Sequence, residues 1–130
     1  MDLKDRKKTR WERRFWTSVQ FALEGIKHVF KAERNFRVHV LIAVIVLANA
    51  FYFRLSALEW IFILISIFGV FVLELINSAI ERIVDLITED YHPLAKQAKD
   101  IGAAAVLVYA VMTVIIGFII FLPKIIYLFK

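Results

Sequence analysis

Apolar side chains fill three long stretches of the chain, and each stretch has the length of a helix that crosses a membrane. The first is interrupted by only two polar side chains, His39 and Asn49, between positions 38 and 53. The last has no charge over residues 101–122, and 22 helical residues at about 1.5 Å each cross a hydrocarbon core about 30 Å thick. The predicted membrane helices cover residues 36–53, 57–88 and 98–122.

A different pattern precedes the first membrane helix. Over residues 15–31 the apolar side chains recur at helical spacing and fall within an arc of roughly 140°. Residues 1–14 form a basic tail. We expect an amphipathic helix on the inner membrane face, with the tail drawn to anionic lipid. Because the tail is short and adjoins membrane segments, we expect no nucleic acid as a partner. The predicted fold is all-α, and residues 1–130 form a single membrane domain.

Composition supports a membrane protein and excludes several classes of enzyme. The 130 residues are 61% hydrophobic and 22% charged, whereas soluble domains are about 45–50% apolar. The absence of cysteine excludes a disulfide framework, a thiolate zinc site and a cysteine nucleophile. The four glycines stand alone, so there is neither a phosphate-binding loop of the P-loop type nor a dinucleotide fingerprint. The three histidines lack zinc-site spacing, so we expect no histidine-based zinc site.

The basic residues indicate which end of each helix faces the cytoplasm. Fourteen of the 17 Lys and Arg residues lie within residues 1–37 or 82–99. With three spans these two regions share one side of the membrane, and the positive-inside bias places that side in the cytoplasm. The first apolar run begins too late for a signal peptide, so we expect none.

The second membrane helix carries a stripe of polar side chains as it leaves the apolar region. At 100° per residue its five members share about 100° of one helix face. Carboxylates at bilayer depth are costly and often mark functional sites. Glu74 lies deepest, after fourteen uncharged residues and with no basic residue three or four positions away. For Glu81 and Asp85, ion pairs with Arg82 or Lys99 are an equally good interpretation. The stripe consists of Glu74, Asn77, Ser78, Glu81 and Asp85.

Two further polar clusters, residues 32–39 and 96–100, lie at the same cytoplasmic level. Carboxylate and amide oxygens suit Mg²⁺, which takes few protein ligands and completes its shell with water and phosphate oxygens. Nearby lysine and arginine side chains would hold phosphates, and a remaining carboxylate could act as a base. The three clusters together therefore favour a site for a phosphorylated substrate with Mg²⁺.

Three segments resemble the small prokaryotic integral-membrane diacylglycerol kinases, and in particular their undecaprenol kinase branch from Gram-positive bacteria. They are ELINSAIERIVD (74–85), AKDIGAAAVL (98–107) and AERNFR (32–37). The resemblance covers roughly residues 18–122. It implies an ATP- and Mg²⁺-dependent lipid kinase in the bacterial cytoplasmic membrane, with the N-terminus and active site cytoplasmic. It also implies a homotrimer whose active sites are shared between subunits.

The resemblance assigns roles to individual residues. Glu74 matches the base that activates the lipid hydroxyl, and Glu33 and Glu81 match residues that hold Mg²⁺ on the ATP phosphates. His39 stands where the diacylglycerol branch commonly has an acidic residue, which leaves the choice of lipid open. The remaining matched positions are nucleotide-contacting (Arg14, Asn77, Lys99 and Asp100) or supporting (Ser78, Asp85 and Arg37).

The predicted reaction is transfer of the ATP γ-phosphoryl group to undecaprenol, giving undecaprenyl phosphate. Diacylglycerol is the alternative acceptor. Two other classes are a small proton-coupled transporter with Glu74 as the proton carrier and a non-catalytic adaptor with a basic surface. A transporter predicts a charge near mid-membrane without phosphate-binding partners, whereas here the acidic residues extend towards Lys99. That direction favours the kinase.

Overall fold

The computed structural model describes residues 3–130, with side chains from Trp11 onward, and every element in it is an α-helix. Three helices are long and apolar enough to cross a membrane, which confirms the predicted fold class. Two compact units are present, one ending at Arg34 and one covering Asn35–Lys130. The helices are α1 (Leu3–Ala32), α2 (Arg34–Tyr52), α3 (Ala57–Ile87) and α4 (Pro93–Leu128).

The helix limits differ most from the predicted limits at α1 and α4. Helix α1 starts at Leu3 rather than residue 15, because the Lys, Arg and Glu side chains of the basic tail favour helix formation. Helix α4 starts at Pro93, five residues before the predicted start. Proline suits the first helical turn, and the His92 side chain accepts a hydrogen bond from Leu94 N–H. Pro123 does not end the helix, which continues to Leu128.

In the first unit, α1 carries large apolar side chains that its own unit leaves exposed. Trp11 stacks on Phe15 with ring centroids 6.0 Å apart, and Phe15 meets Trp16 edge to face at 5.7 Å. A helix with exposed aromatic side chains and a basic start is typical of one that lies in a membrane interface. This agrees with the amphipathic surface helix that the sequence predicts.

In the second unit, a tight turn and a capping box connect α2 to α3. The Ser56 side chain accepts a hydrogen bond from Glu59 N–H, and the Glu59 carboxylate accepts one from Ser56 N–H. The same carboxylate pairs with Lys124 of α4 at 2.9 Å. The start of α3 is therefore fixed to the end of α4 on the membrane face opposite the polar stripe.

The three membrane helices share a buried core, and small residues let α3 and α4 approach each other closely. The buried core joins Ala43 and Ala50 of α2, Ile63 and Ile67 of α3, and Ile120 of α4. The interface of α3 with α4 depends on a further pair. Tyr109 donates a hydrogen bond to the carbonyl of Ile65 at 3.0 Å, and its ring occupies the space beside Gly69 where a side chain would stand. Close approach at small residues is how helices associate in lipid.

Candidate active site

The polar stripe on α3 is buried over its first three members and becomes exposed towards the loop. Glu74, Asn77 and Ser78 are buried, Glu81 is half-buried, and Asp85 is exposed. The stripe therefore faces the protein where the helix is deepest and reaches solvent at its end. Burying a carboxylate without a partner is costly, so the buried members must find polar contacts.

The deepest carboxylate meets a histidine from α2. His39 Nε2 lies 3.2 Å from Glu74 Oε1, with 23% of the histidine side chain and 5% of the glutamate side chain exposed. An ionised carboxylate only accepts hydrogen bonds, so a hydrogen bond at this contact would need the hydrogen on Nε2. The contact provides the buried acid with a donor from a neighbouring helix.

One turn further along α3, an amide fixes the next carboxylate. Asn77 Nδ2 donates to Glu81 Oε1 at 3.0 Å. The other amide atom, Oδ1, is buried and has no hydrogen-bond partner among the described residues. It lies against Gly102 of α4, where a Cβ atom would stand only 2.4 Å away. The absence of a side chain at Gly102 is what allows Asn77 to hold Glu81 in this position.

At the exposed end of the stripe, one ion pair ties the start of α4 to α3, and a second lies within α4. Lys99 Nζ lies 2.5 Å from Asp85 Oδ1, and Lys96 Nζ lies 2.6 Å from Asp100 Oδ2. For Asp85 the structure thus agrees with the simple ion-pair interpretation. Glu81 is bonded to Asn77, and the Arg82 guanidinium donates to the Ser78 carbonyl at 2.8 Å.

The remaining predicted residues are divided between the two units. Arg14 and Glu33 belong to the first unit. Arg14 is exposed on α1, and Glu33 is half-buried in the single-residue break between α1 and α2. Arg37 is exposed on the first turn of α2, in the second unit. The second unit by itself therefore brings together the α3 stripe, Lys99 and His39.

The donor set in the second unit fits a magnesium ion that is held mainly by phosphate oxygens. Glu81 has used one acceptor position on Asn77 and keeps the others. Among the residues that the structure describes, no three acidic or histidine side chains form a metal-binding group. Mg²⁺ is usually bound by one or two carboxylates together with substrate phosphates rather than by a full protein cage. One accessible carboxylate beside a lysine is therefore an adequate protein contribution.

A narrow cleft of about 70 Å³ lies next to the His39 ring, one helical turn deeper than Glu74. Val70 and Phe71 of α3 line it, and almost all of its wall is apolar. Ser66 also lines it and is only 1% exposed, and its Oγ has no partner among the described residues. The base candidate thus stands between an apolar cleft and the polar end of the stripe.

Sequence reasoning predicted the stripe but missed two residues that shape it. The sequence placed His39 in the polar cluster of residues 32–39 and at a departure from the diacylglycerol branch, but it gave no indication that His39 contacts Glu74. Gly102 gave no usable signal, because an isolated glycine in a helix does not show which side chain it accommodates.

Comparison with known proteins places this arrangement in a family. Residues 20–121 match the sequence profile of the prokaryotic diacylglycerol kinases. Undecaprenol kinase of Bacillus subtilis is 51% identical over 111 residues, which are 85% of this chain and 90% of that protein. The chain belongs to the prokaryotic diacylglycerol kinase family.

Two other members of the family are named for the other lipid. A diacylglycerol kinase of Synechocystis is 39% identical over 107 residues, 82% of this chain and 61% of the longer relative. That of Escherichia coli K12 is 36% identical over 98 residues, 73% of this chain and 78% of the relative. The family match includes the whole α3 stripe and Lys99 but begins after Arg14. The chain is therefore a multi-pass membrane protein of a lipid kinase family.

Proposed function

We propose that the protein transfers the γ-phosphoryl group of ATP to the hydroxyl of undecaprenol, giving undecaprenyl phosphate. The observation that carries the proposal is the buried Glu74 carboxylate, held by His39 within an apolar helix and followed by polar groups that lead to the aqueous side. The 51% identity to an undecaprenol kinase over 85% of the chain supports the choice of lipid.

In this reaction Glu74 acts as the general base. Its carboxylate takes the proton of the lipid hydroxyl while that oxygen attacks the γ-phosphorus of ATP. The bond from the γ-phosphorus to the oxygen bridging the β- and γ-phosphates breaks, and ADP leaves. Glu74 suits this role because its depth matches a hydroxyl on a membrane-held chain. Most of the rate enhancement in phosphoryl transfer comes from positioning and charge neutralisation.

We assign the nucleotide to the polar end of the stripe. Glu81, held by Asn77, would bind Mg²⁺ together with Glu33, and when bound the ion neutralises charge on the ATP phosphates. Lys99 would contact the phosphates from α4. Asp85 holds the Lys99 ammonium in place, which limits the number of positions that it samples before ATP binds. Arg14 and Asp100 are proposed as further nucleotide contacts, and Ser78 and Arg37 as supporting residues.

The site requires a membrane orientation and an assembly. We propose that the N-terminus and the loop between α3 and α4 face the cytoplasm of a bacterial cell, where ATP is present. We also propose a homotrimer with shared active sites, because one subunit with three spans has little surface to enclose both a nucleotide and a lipid chain. Oligomerisation would also keep the polar face of α3 away from lipid.

Diacylglycerol is the second candidate acceptor, and the names of the Synechocystis and Escherichia coli relatives favour it. The narrow apolar cleft beside His39 favours undecaprenol instead. A polyprenol continues from its hydroxyl carbon as a slim hydrocarbon chain, whereas diacylglycerol carries ester groups close to its hydroxyl. The cleft wall is mostly apolar and gives those ester oxygens few hydrogen-bond donors, which are on His39, Ser66 and Thr113.

A direct comparison of the two lipids tests the proposal. Purified protein is incubated with γ-labelled ATP and Mg²⁺ in mixed micelles that contain either undecaprenol or diacylglycerol at equal mole fraction. We expect labelled undecaprenyl phosphate and at least about tenfold less labelled phosphatidic acid. A preference for diacylglycerol would contradict undecaprenol as the acceptor. Labelling of neither lipid by folded protein would contradict the kinase assignment.

A further inference from the structure

We propose that His39 is a positioning residue for phosphoryl transfer. Its imidazole would hold the Glu74 carboxylate in the orientation that accepts the lipid proton. This inference rests on the proposed function, because it needs Glu74 to be the base. The structure shows the juxtaposition directly, with His39 Nε2 3.2 Å from Glu74 Oε1 across the interface of α2 and α3.

The contact with His39 is important because the Glu74 side chain is almost completely buried. Glu74 is 5% exposed at its side chain, so bulk water hardly reaches its carboxylate. A buried carboxylate depends on donors from the protein, and each donor fixes part of its rotational freedom. Since the glutamate side chain has three rotatable bonds, a donor fixed on another helix restricts it far more than solvent would.

The histidine is itself held in place. Its backbone belongs to α2, three residues after the buried Phe36, whose ring packs against Phe71 of α3 with centroids 5.5 Å apart. This contact fixes the register of α2 against the part of α3 that carries Glu74. A donor mounted on two packed helices is a more precise support than one on a loop.

The ring of His39 also forms part of the wall of the apolar cleft described above. One side chain therefore contacts the base and borders the space next to it. His39 contacts the Oε1 atom of Glu74, so a shift of the imidazole would change the orientation of the whole carboxylate. Misplacement of a reacting group by about 1 Å can cost about a hundredfold in rate.

Two substitutions separate positioning from packing. His39→Gln keeps an N–H donor at a similar distance from the backbone, whereas His39→Leu keeps the volume and removes the donor. We expect His39→Leu to lower kcat by about 10- to 100-fold and His39→Gln to retain kcat within about fivefold. The KM for ATP should stay within about twofold in both variants, since neither removes a contact proposed for the nucleotide. Because His39 also lines the apolar cleft, kcat is measured at saturating lipid.

A packing role predicts the opposite order, because Leu is the better replacement in an apolar environment. The inference is overturned if His39→Leu is as active as His39→Gln or if the loss appears in KM rather than kcat. Rates are expressed per folded protein, measured as the monodisperse fraction after size exclusion. His39→Met serves as a second donor-free variant. Failure of both donor-free variants to fold while His39→Gln folds would assign His39 a structural role and overturn the inference.

The double variant distinguishes this inference from the proposed function. If His39 acts through Glu74, His39→Leu should lower the residual rate of Glu74→Gln by less than about threefold. A further loss of tenfold or more would show that His39 acts independently of Glu74. By contrast, a Glu74→Gln enzyme with near-normal rate would refute the base assignment itself, whatever the His39 variants do.

Discussion

Each polar side chain on α3 has an environment that suits a different task. Glu74 is almost sealed from solvent and is supported by one histidine, while Glu81 is half-buried and is held by an amide. Asp85 is exposed and paired with Lys99. In the proposed function, the same acidic chemistry would serve a membrane-held hydroxyl at one end of the stripe and a water-borne nucleotide at the other.

Lys99 and Lys96 provide a matched comparison, because both lie near the start of α4 and pair with aspartates. We expect Lys99→Met to lower kcat/KM for ATP by about 10- to 100-fold, the range for loss of a hydrogen bond to a charged group. Lys96→Met removes only the exposed ion pair of Lys96 with Asp100, which lies within α4. It should change kcat/KM by less than about threefold. Steady-state kinetics over ATP concentration give both values. Equal losses in the two variants would contradict the assignment of Lys99 to the phosphates.

Gly102 offers a second comparison at the scale of single residues. In Gly102→Ala the new methyl group would stand 2.4 Å from Asn77 Oδ1, so the amide must move and Glu81 loses its support. We expect at least a tenfold rise in the Mg²⁺ concentration needed for half-maximal activity. Gly117→Ala, on the same helix with no atom within 4 Å of the added Cβ, should keep the Mg²⁺ dependence of the wild type at saturating lipid. Equal Mg²⁺ dependence in both variants would contradict the role given to Asn77.

The sequence was sufficient to predict the stripe but not its partners. Helical periodicity alone places the five polar positions on one face. In the structure the first three of them are buried and the last is exposed. The contact of His39 with Glu74 depends on how α2 packs against α3. The sequence places residues 32–39 at about the level of the stripe, but it does not show which side chains meet there until that packing is known.

At the scale of elements, α3 and α4 pack together at a position where α3 has a glycine, Gly69, and therefore no side chain. The Tyr109 ring fills the space beside Gly69, and its hydroxyl donates a hydrogen bond to the Ile65 carbonyl.

The predicted existence and order of the helices were confirmed, whereas the extent of α4 was underestimated. Pro93 favours a first turn and Pro123 is tolerated within the helix, and sequence patterns do not distinguish these two cases well.

We expect Gly69→Ala to destabilise the protein by about 1–3 kcal/mol, as overpacking usually does. The tyrosine ring must move, and in doing so it gives up its hydrogen bond. In a Tyr109→Ala background the same substitution should cost less than about 0.5 kcal/mol, because the clashing ring is gone. Thermal unfolding in detergent measures both differences. Equal costs in the two backgrounds would show that the ring is not what Gly69 accommodates.

At the scale of the whole molecule, charge and apolar length together organise the protein. The three apolar helices can anchor it in a membrane, and fourteen of the 17 basic residues lie in segments on one predicted side. That side also carries the polar end of the stripe. The net charge of +5 hides this separation, since most of the basic residues are concentrated in two segments of the sequence.

The absence of cysteine allows the orientation to be measured with single-cysteine variants. Tyr91→Cys lies in the connection between α3 and α4, and Phe129→Cys lies beyond α4. Both native side chains are exposed. A membrane-impermeant maleimide should label Phe129→Cys in intact cells and Tyr91→Cys only after permeabilisation. The reverse pattern would place the polar end of the stripe outside the cell, away from ATP, and would contradict the proposed orientation.

The central claim is that Glu74 is the base of a lipid kinase, and one measurement tests it most directly. Wild-type protein and Glu74→Gln are compared for transfer of label from γ-labelled ATP to undecaprenol, with Mg-ATP binding measured in parallel. General-base removal typically costs 10²- to 10⁴-fold. We predict a loss of about that size in transfer, with normal folding and Mg-ATP affinity within about threefold of wild type. A Glu74→Gln protein that transfers phosphate at a near-normal rate would contradict the account.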